Sequence, residues 1–254
     1  MNSEFEAYYQ GVYGPRWEGL RASLLESAAI TAYTAGLTAP YMLDRASILA
    51  ARSLVLPPEG FVLDACAAPG GKSLVIASVM GAEVQLLSNE LSRERRGRLL
   101  RVLDQHLDGE RRSRVRVSGF DAAAQGRNRG EWGRFGGILL DAPCSCERHV
   151  LQNQNALRKW TPARPRFLAK RQWALLSAAF LLLRRGGSLV YATCALSPEE
   201  NDGVVSRLLK KYREELVLEA VDFSEGEATS FGRILLPDVA EGMGPLYVAR
   251  FSKP

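Results

Sequence analysis

Two cysteines stand where a thiol could do covalent chemistry: Cys144 in Asp141-Ala-Pro-Cys144, and Cys194 in Tyr191-Ala-Thr-Cys194. A lone cysteine is ordinarily a small buried hydrophobe. These two each follow a short apolar run, Gly137–Asp141 and Ser188–Thr193, that reads as a buried strand, so both should emerge at strand ends. A thiolate that adds to an unsaturated ring carbon can turn a poor carbon nucleophile, such as carbon 5 of cytosine, into an enamine, splitting one hard step into two. A second thiol would then help to release the product. Asp141, in its protonated form, could hydrogen-bond the ring near N3 and the amino group. Spacing alone leaves open which cysteine attacks. Beyond Cys194, Ser197-Pro198-Glu199-Glu200 reads as a capping box that starts a helix. Its dipole would favour a thiolate, and its two glutamates would oppose one.

A ligand loop accompanies the thiols. Asp64-Ala-Cys-Ala-Ala-Pro-Gly-Gly-Lys-Ser73 joins an apolar run, Phe61–Cys66, to a helical one, Lys72–Met80, and its glycines let the backbone pass close to a ligand. A triphosphate loop of the form G-x-x-x-x-G-K-[ST] would need glycine where Cys66 stands, and the dinucleotide pattern G-x-G-x-x-G is absent. A nucleoside-type ligand with little need for a phosphate cradle remains, and S-adenosylmethionine fits that description. The acid expected on its ribose, at the end of the next strand, is Glu90. Asp121, after the third strand, is placed to reach the adenine amino group.

The elements that must position these groups alternate. Strands are predicted at Val84–Ser88, Val115–Ser118, Leu216–Val221 and Leu246–Phe251, and helices at Arg93–Gln105, Arg166–Leu183 and Pro198–Tyr212, with Ser145–Pro165 as a long ordered loop. Such alternation predicts an α/β fold: a doubly wound, mainly parallel, seven-stranded Rossmann-like sheet with ligands beyond the carboxyl ends of its strands. Residues 1–57, with Trp17, Leu20, Leu24 and Leu25 at helical spacing and Pro57-Pro58 as a boundary, read as a small helical N-terminal extension, and residues 58–254 as the main domain.

The composition, 46% hydrophobic and 24% charged over 254 residues, is that of a soluble globular protein, with no apolar run long enough to span a bilayer and no signal-peptide layout. Four cysteines without a CxxC and two histidines predict neither a disulfide framework nor a metal site, and Cys146 reads as incidental. The net charge of +5 is unevenly spread: Arg148 to Arg185 holds nine Lys/Arg and no acid, and Arg93 to Arg116 holds nine Arg against four acids. Near a catalytic site such runs would attract phosphates. Arg148, Arg158, Lys159 and Arg164 are the candidate contacts to a nucleic-acid backbone. Trp160 could stack on an unstacked base or pack in the core.

Taken together, DACAAPGGKS (64–73), SNELSRER (88–95), FDAA (120–123), DAPCSCERHV (141–150) and YATCALSPEEND (191–202) resemble the Nop/Sun family of RNA 5-methylcytosine methyltransferases in order and spacing. YYQGVYGPRWEGLRASLL and GRILLPDVAEGMGPLYVARF also resemble its short subgroup that includes the mitochondrial ribosomal RNA enzymes, so the likeness is nearly chain-long. The resemblance implies that Cys194 attacks the base, that Cys144 assists release, and that S-adenosylmethionine is held by Ala67, Pro69, Gly70, Gly71, Lys72, Glu90, Arg95, Asp121 and Asp141. It implies ribosomal RNA as the first substrate and transfer RNA as the second. A ribosomal particle or specificity partner would aid selection, in the cytoplasm or alternatively in mitochondria. The sequence departs from the pattern at Ala195, where serine is commoner, at Glu90, where aspartate is usual, and at Cys146. DNA cytosine methyltransferases, which attack with the cysteine of a Pro-Cys motif, are disfavoured because no Glu-Asn-Val motif follows Pro143-Cys144. A non-catalytic assembly factor would need neither thiol.

Overall fold

The structure, a computed structural model, describes residues 2–254. The chain opens with helices α1 (Ser3–Tyr13) and α2 (Trp17–Leu25), a hairpin of β1 (Ile30–Tyr33) and β2 (Tyr41–Asp44), and helix α3 (Arg45–Arg52). Strand β3 (Gly60–Asp64), helix α4 (Gly71–Val79), β4 (Val84–Asn89), α5 (Arg93–His106), α6 (Gly109–Ser113), β5 (Val115–Ser118), α7 (Ala122–Gln125) and β6 (Phe135–Asp141) follow. Then come α8 (Glu147–Gln152), α9 (Gln154–Lys159), α10 (Ala163–Leu182), β7 (Leu183–Thr193), α11 (Asp202–Lys211), β8 (Val217–Glu219), β9 (Glu227–Ala228), β10 (Arg233–Leu235) and β11 (Leu246–Lys253).

The main sheet runs β5-β4-β3-β6-β7-β11-β10-β9, with β8 on β11, nine strands in all. The pairings from β5 to β7 are parallel, and β11 enters antiparallel to β7. The Rossmann-like α/β reading holds, with short strands β9 and β10 widening the sheet beyond the expected seven. Strand order reverses between β3 and β6, which leaves a crevice at the carboxyl ends where ligands gather in such sheets. The parallel strands are apolar because helices cover both faces: Val62, Leu63, Leu86, Ile138, Leu139, Leu140, Leu189 and Val190 are all buried.

The expected helical extension is only partly helical, since the hairpin of β1 and β2 interrupts it. Phe5, Tyr9, Trp17, Leu20 and Leu24 share one core cluster with Leu63, Leu140 and Tyr191 of the sheet. The expected loop Ser145–Pro165 instead forms α8, α9 and the start of α10. Asn153 ends one short helix and caps the next by accepting from the amides of Asn155 and Ala156, while Val150, Leu151 and Trp160 bury the apolar side of the segment. Among the described residues, no helix is long and apolar enough to cross a membrane.

Candidate active site

Every candidate catalytic group arrives from a strand end. Strands β6 and β7 pair in register up to Asp141 opposite Ala192, and the Ala142 amide donates to the Ala192 carbonyl at 2.9 Å, so the loops beyond them start side by side. The Sγ atoms of Cys144 and Cys194 consequently lie 3.0 Å apart. Cys146, expected to be incidental, belongs to the same cluster, 3.1 Å from Cys194 and 3.5 Å from Cys144. Its left-handed backbone, φ 54°, folds the loop back so that the side chain turns toward its neighbours. Nothing in an i, i+2 spacing announces that turn.

Three adjacent sulfurs cannot all carry charge. Hydrogen bonds from Cys144 and Cys194, aided by Arg164 and His149, pull the Cys146 thiol down to about 3, whereas Cys144 and Cys194 are pushed up. The cluster therefore favours one shared negative charge. The helix start expected beside Cys194 is absent: α11 begins at Asp202, and residues 197–200 form a turn closed by the Glu200 amide donating to the Ser197 carbonyl. The Ser197 hydroxyl bonds the Tyr8 hydroxyl at 3.1 Å instead of capping a helix. No dipole supports a Cys194 thiolate.

Asp141 faces Lys72, Nζ to Oδ2 2.7 Å, and Lys72 also donates to Ser47 at 3.1 Å. Burial works against the Lys72 charge, but the adjacent carboxylate more than offsets it and the net shift is upward. Asp141 is thus ion-paired with Lys72, which brings an ammonium donor to the same place. Both residues line a cavity of about 400 Å³ together with Cys146, Cys194, Arg148 and His149.

A second cavity, of about 380 Å³, lies across the same loop: Asp141 lines the first and Pro143 the second. Ala65, Leu91, Phe120, Pro143 and Leu175 give it apolar walls, and Glu90, Asn89, Arg95, Asp121 and Arg171 give it polar ones. Its size and lining fit a nucleoside. The Glu90 carboxylate is held by the Ser92 amide at 2.9 Å and lies 3.3 Å from the Arg95 guanidinium, which also donates to the Ala68 carbonyl at 2.7 Å. Asp121 caps α7 through the Ala123 amide at 3.0 Å and also lines this cavity. Ala67 and Gly70 are buried in the loop, Pro69 follows a cis bond and is exposed, and Gly70 has φ +123°, a conformation that favours glycine. A Cβ on Gly71 would come within 2.7 Å of Leu43, so the β1–β2 hairpin closes directly over the loop. Asp64, at the root of the loop, has its carboxyl pushed up to about 7 by burial, against the opposing Ser73 hydrogen bond, and its Oδ1 has no partner among the described residues.

Two positioning groups escaped the sequence reading. Asn89 is buried and ties three strand ends together, donating to the Ala65 and Phe120 carbonyls and accepting from the Phe120 amide at 3.0–3.1 Å. Glu200, expected in a helix cap, turns inward to accept from the Ser145 amide at 3.0 Å and from Gln172 at 2.7 Å. Only their places beside the recognised motifs could have signalled them.

The proposed RNA contacts divide. Arg148 lines the first cavity, with one guanidinium nitrogen on the Gly242 carbonyl and Nε and Nη1 without a partner among the described residues. Arg158, Lys159 and Arg164 are exposed. Trp160 is not available for stacking: it is 1% exposed and packs against Phe5, Tyr8 and Tyr9 at 5.0–5.7 Å between ring centroids. Burying its indole is worth more to the fold than a surface position would be.

Sheet order, cavity position and strand-end residues together define a Rossmann-like methyltransferase fold. The chain belongs to the 16S rRNA methyltransferase RsmB/F family, whose sequence pattern it matches over residues 51–252. It is 32% identical over 235 residues to the bovine 5-cytosine rRNA methyltransferase NSUN4, covering 86% of this chain and 60% of that one. It is 40% identical over 163 residues to the ribosomal RNA small subunit methyltransferase F of Aeromonas salmonicida, covering 64% of this chain and 33% of the relative. The chain thus spans between a third and six-tenths of the length of these relatives. Among solved structures it resembles NSun6 from Pyrococcus horikoshii with SFG, at TM-score 0.70 and 26% identity over 90% of this chain and 56% of that one. It also resembles a methyltransferase homologue from the same organism, at TM-score 0.77 and 20% identity over 98% of this chain and 94% of that one.

Proposed function

We propose that this protein transfers a methyl group from S-adenosylmethionine to carbon 5 of a cytosine in RNA, ribosomal RNA first, through a covalent bond between Cys194 and the base. The observation that carries the reading is the 3.0 Å approach of Cys194 to Cys144 on a cavity shared with the Lys72–Asp141 pair. Kinship with named rRNA cytosine-5 methyltransferases supports the substrate class, and the related structure with SFG supports the cofactor.

S-adenosylmethionine supplies an electrophilic methyl group. Glu90 would hold its ribose, Asp121 its adenine, and the loop Ala67–Lys72, with Arg95 bracing it, the remainder. Cys194 gives up its proton and adds to carbon 6 of the cytosine. That proton passes to solvent in the first cavity, which Cys194 lines. Lys72 donates to the ring and stabilises the electron density that the addition pushes onto it, while Asp141 accepts from the amino group and orients the base. After methylation Cys144, acting in its thiolate form, takes the carbon 5 proton and becomes a thiol, the carbon–sulfur bond breaks, and Cys194 leaves as thiolate. Arg148, Arg158, Lys159 and Arg164 would hold the RNA backbone. Residues 1–57 would form an extension, divided from the domain 58–254 near Pro57-Pro58, that braces the thiol loops.

The test incubates wild type, Cys194→Ala and Cys144→Ala with labelled S-adenosylmethionine and ribosomal RNA, transfer RNA or DNA. Cys194→Ala should give neither methylcytosine nor a denaturation-resistant adduct, and Cys144→Ala should accumulate the adduct. The reverse pattern overturns the assignment of roles. Wild-type inactivity on all RNA would leave a non-catalytic assembly factor.

A further inference from the structure

We infer that Cys144, Cys146 and Cys194 form a three-thiolate site for Zn²⁺. All three are free thiols whose Sγ atoms lie pairwise 3.0, 3.1 and 3.5 Å apart. Tetrahedral zinc, with bonds of about 2.3 Å to sulfur, separates its sulfurs by about 3.7–3.8 Å. Each sulfur would therefore need to withdraw only a few tenths of an ångström from the common centre, and Cys146 and Cys194 border the open cavity that gives them room.

The triangle is set by backbone. Two of its corners hang on the turn at Cys146 and the third on the adjacent end of β7. The ligand atoms are all sulfur and lie within 4.8 Å of one another, with no carboxylate among them, a donor set that selects zinc over magnesium or calcium. The fourth position falls to water from the cavity of about 400 Å³ that Cys146 and Cys194 line. A C-x-C with its third ligand far along the chain is not a zinc spacing, which is why the sequence predicts no metal site.

On binding, each thiol that is still protonated releases its proton to solvent and each sulfur donates a lone pair to the ion, with no change of oxidation state. The lone pair of Cys194 is the one that the proposed reaction needs. Zinc and a cytosine ring would exclude one another, so the ion would hold the enzyme inactive until a chelator or competing thiol removed it. That consequence rests on the proposed function, whereas the binding itself does not.

The test titrates the reduced full chain with Co²⁺ in the absence of RNA and S-adenosylmethionine, then displaces it with Zn²⁺ against a chromogenic chelator. One equivalent of Co²⁺ should give visible ligand-field bands and thiolate-to-cobalt charge-transfer absorption that Zn²⁺ abolishes. Cys146→Ser should weaken Zn²⁺ by about ten-fold or more, while Cys66→Ser, which changes the one cysteine outside the cluster, should not. Absence of the charge-transfer band, or wild-type affinity in Cys146→Ser, overturns the site. Because no turnover is needed, a protein that shows the band but never methylates RNA refutes the functional reading and keeps the site, and the converse result does the opposite.

Discussion

Glu147 and Glu200 both present Oε1 to one hydroxyl, that of Ser145, in the loop that carries Cys144 and Cys146. A hydroxyl has one hydrogen and can donate to only one of them. Glu147 also accepts from the Tyr9 hydroxyl and from the Leu196 amide, the environment of a carboxylate. Glu200 must then be the protonated partner that donates to Ser145. Burial is the main cause that pushes its carboxyl up to about 8, with the charge on Glu147 next. Leu196 and Glu200 lie on the loop after Cys194, so one buried proton fastens the two thiol loops together.

That proton makes stability depend on pH. Below the ordinary glutamate range both folded and unfolded chains hold it and stability is undiminished. As pH rises from about 4.5 toward 8 the unfolded chain ionises while folded Glu200 stays protonated, and stability falls by up to about 1.4 kcal/mol per pH unit. Denaturant unfolding at pH 5.5, 6.5 and 7.5 should show the decline, to which buried Asp64 also contributes, and Glu200→Gln, which keeps a donor toward Ser145, should make it shallower. A slope unchanged in Glu200→Gln would refute the shared proton.

Tyr9 links the N-terminal helix to this network. Tyr9→Phe keeps the ring packed on Trp17 and Trp160 but removes the donor to buried Glu147, and should cost about 1.5–3 kcal/mol. Thermal melts check this. A variant as stable as wild type would mean that the carboxylate finds another donor.

The parallel half of the sheet and the strand-end motifs were legible because continuous apolar runs and glycine-rich turns are local signals. What remained hidden is the part made by distant residues. Cys146, Glu200 and Asn89 have partners 48, 55 and 24 to 31 positions away, so no window of sequence contains both sides of the interaction. The capping box at Ser197 failed for the same reason: Glu200 gains more from Ser145 and Gln172 than from a helix amide. Trp160, read as either a stacking platform or core, was decided by an aromatic cluster whose other members lie in α1 and α2.

Trp160 and the exposed basic residues should therefore separate cleanly. Trp160→Ala empties a fully packed site and should cost about 3–5 kcal/mol, whereas neutralising Arg158, Lys159 and Arg164 together should leave the melting temperature nearly unchanged. The triple variant should instead weaken RNA binding and reduce the slope of log affinity against log salt by up to about 0.7 for each phosphate the protein no longer neutralises. Fluorescence anisotropy with a single-stranded RNA across a salt series distinguishes the two. A wild-type slope in the triple variant would remove this face from the RNA path.

Glu90 tests the second cavity. Its carboxylate is only 5% exposed and is oriented by the Ser92 amide, so one oxygen is already engaged with the protein while the other faces Arg95. A ribose diol entering the cavity would donate to an acceptor whose position is fixed before binding, which lowers the ordering cost. Glu90→Ala removes both acceptors and should weaken S-adenosylmethionine by about 10- to 100-fold, equivalent to one or two hydrogen bonds of about 1.4 kcal/mol each. Glu90→Gln keeps an acceptor and loses the charge, so it should fall between wild type and Glu90→Ala. Glu90→Asp withdraws the carboxylate by one methylene from the Ser92 amide, so its effect separates acceptor position from charge. Calorimetric titration with S-adenosylmethionine, run beside a thermal melt to confirm folding, reads all three. Affinity unchanged in Glu90→Ala would move the cofactor out of this cavity, and with it the roles given to Asp121 and Arg95.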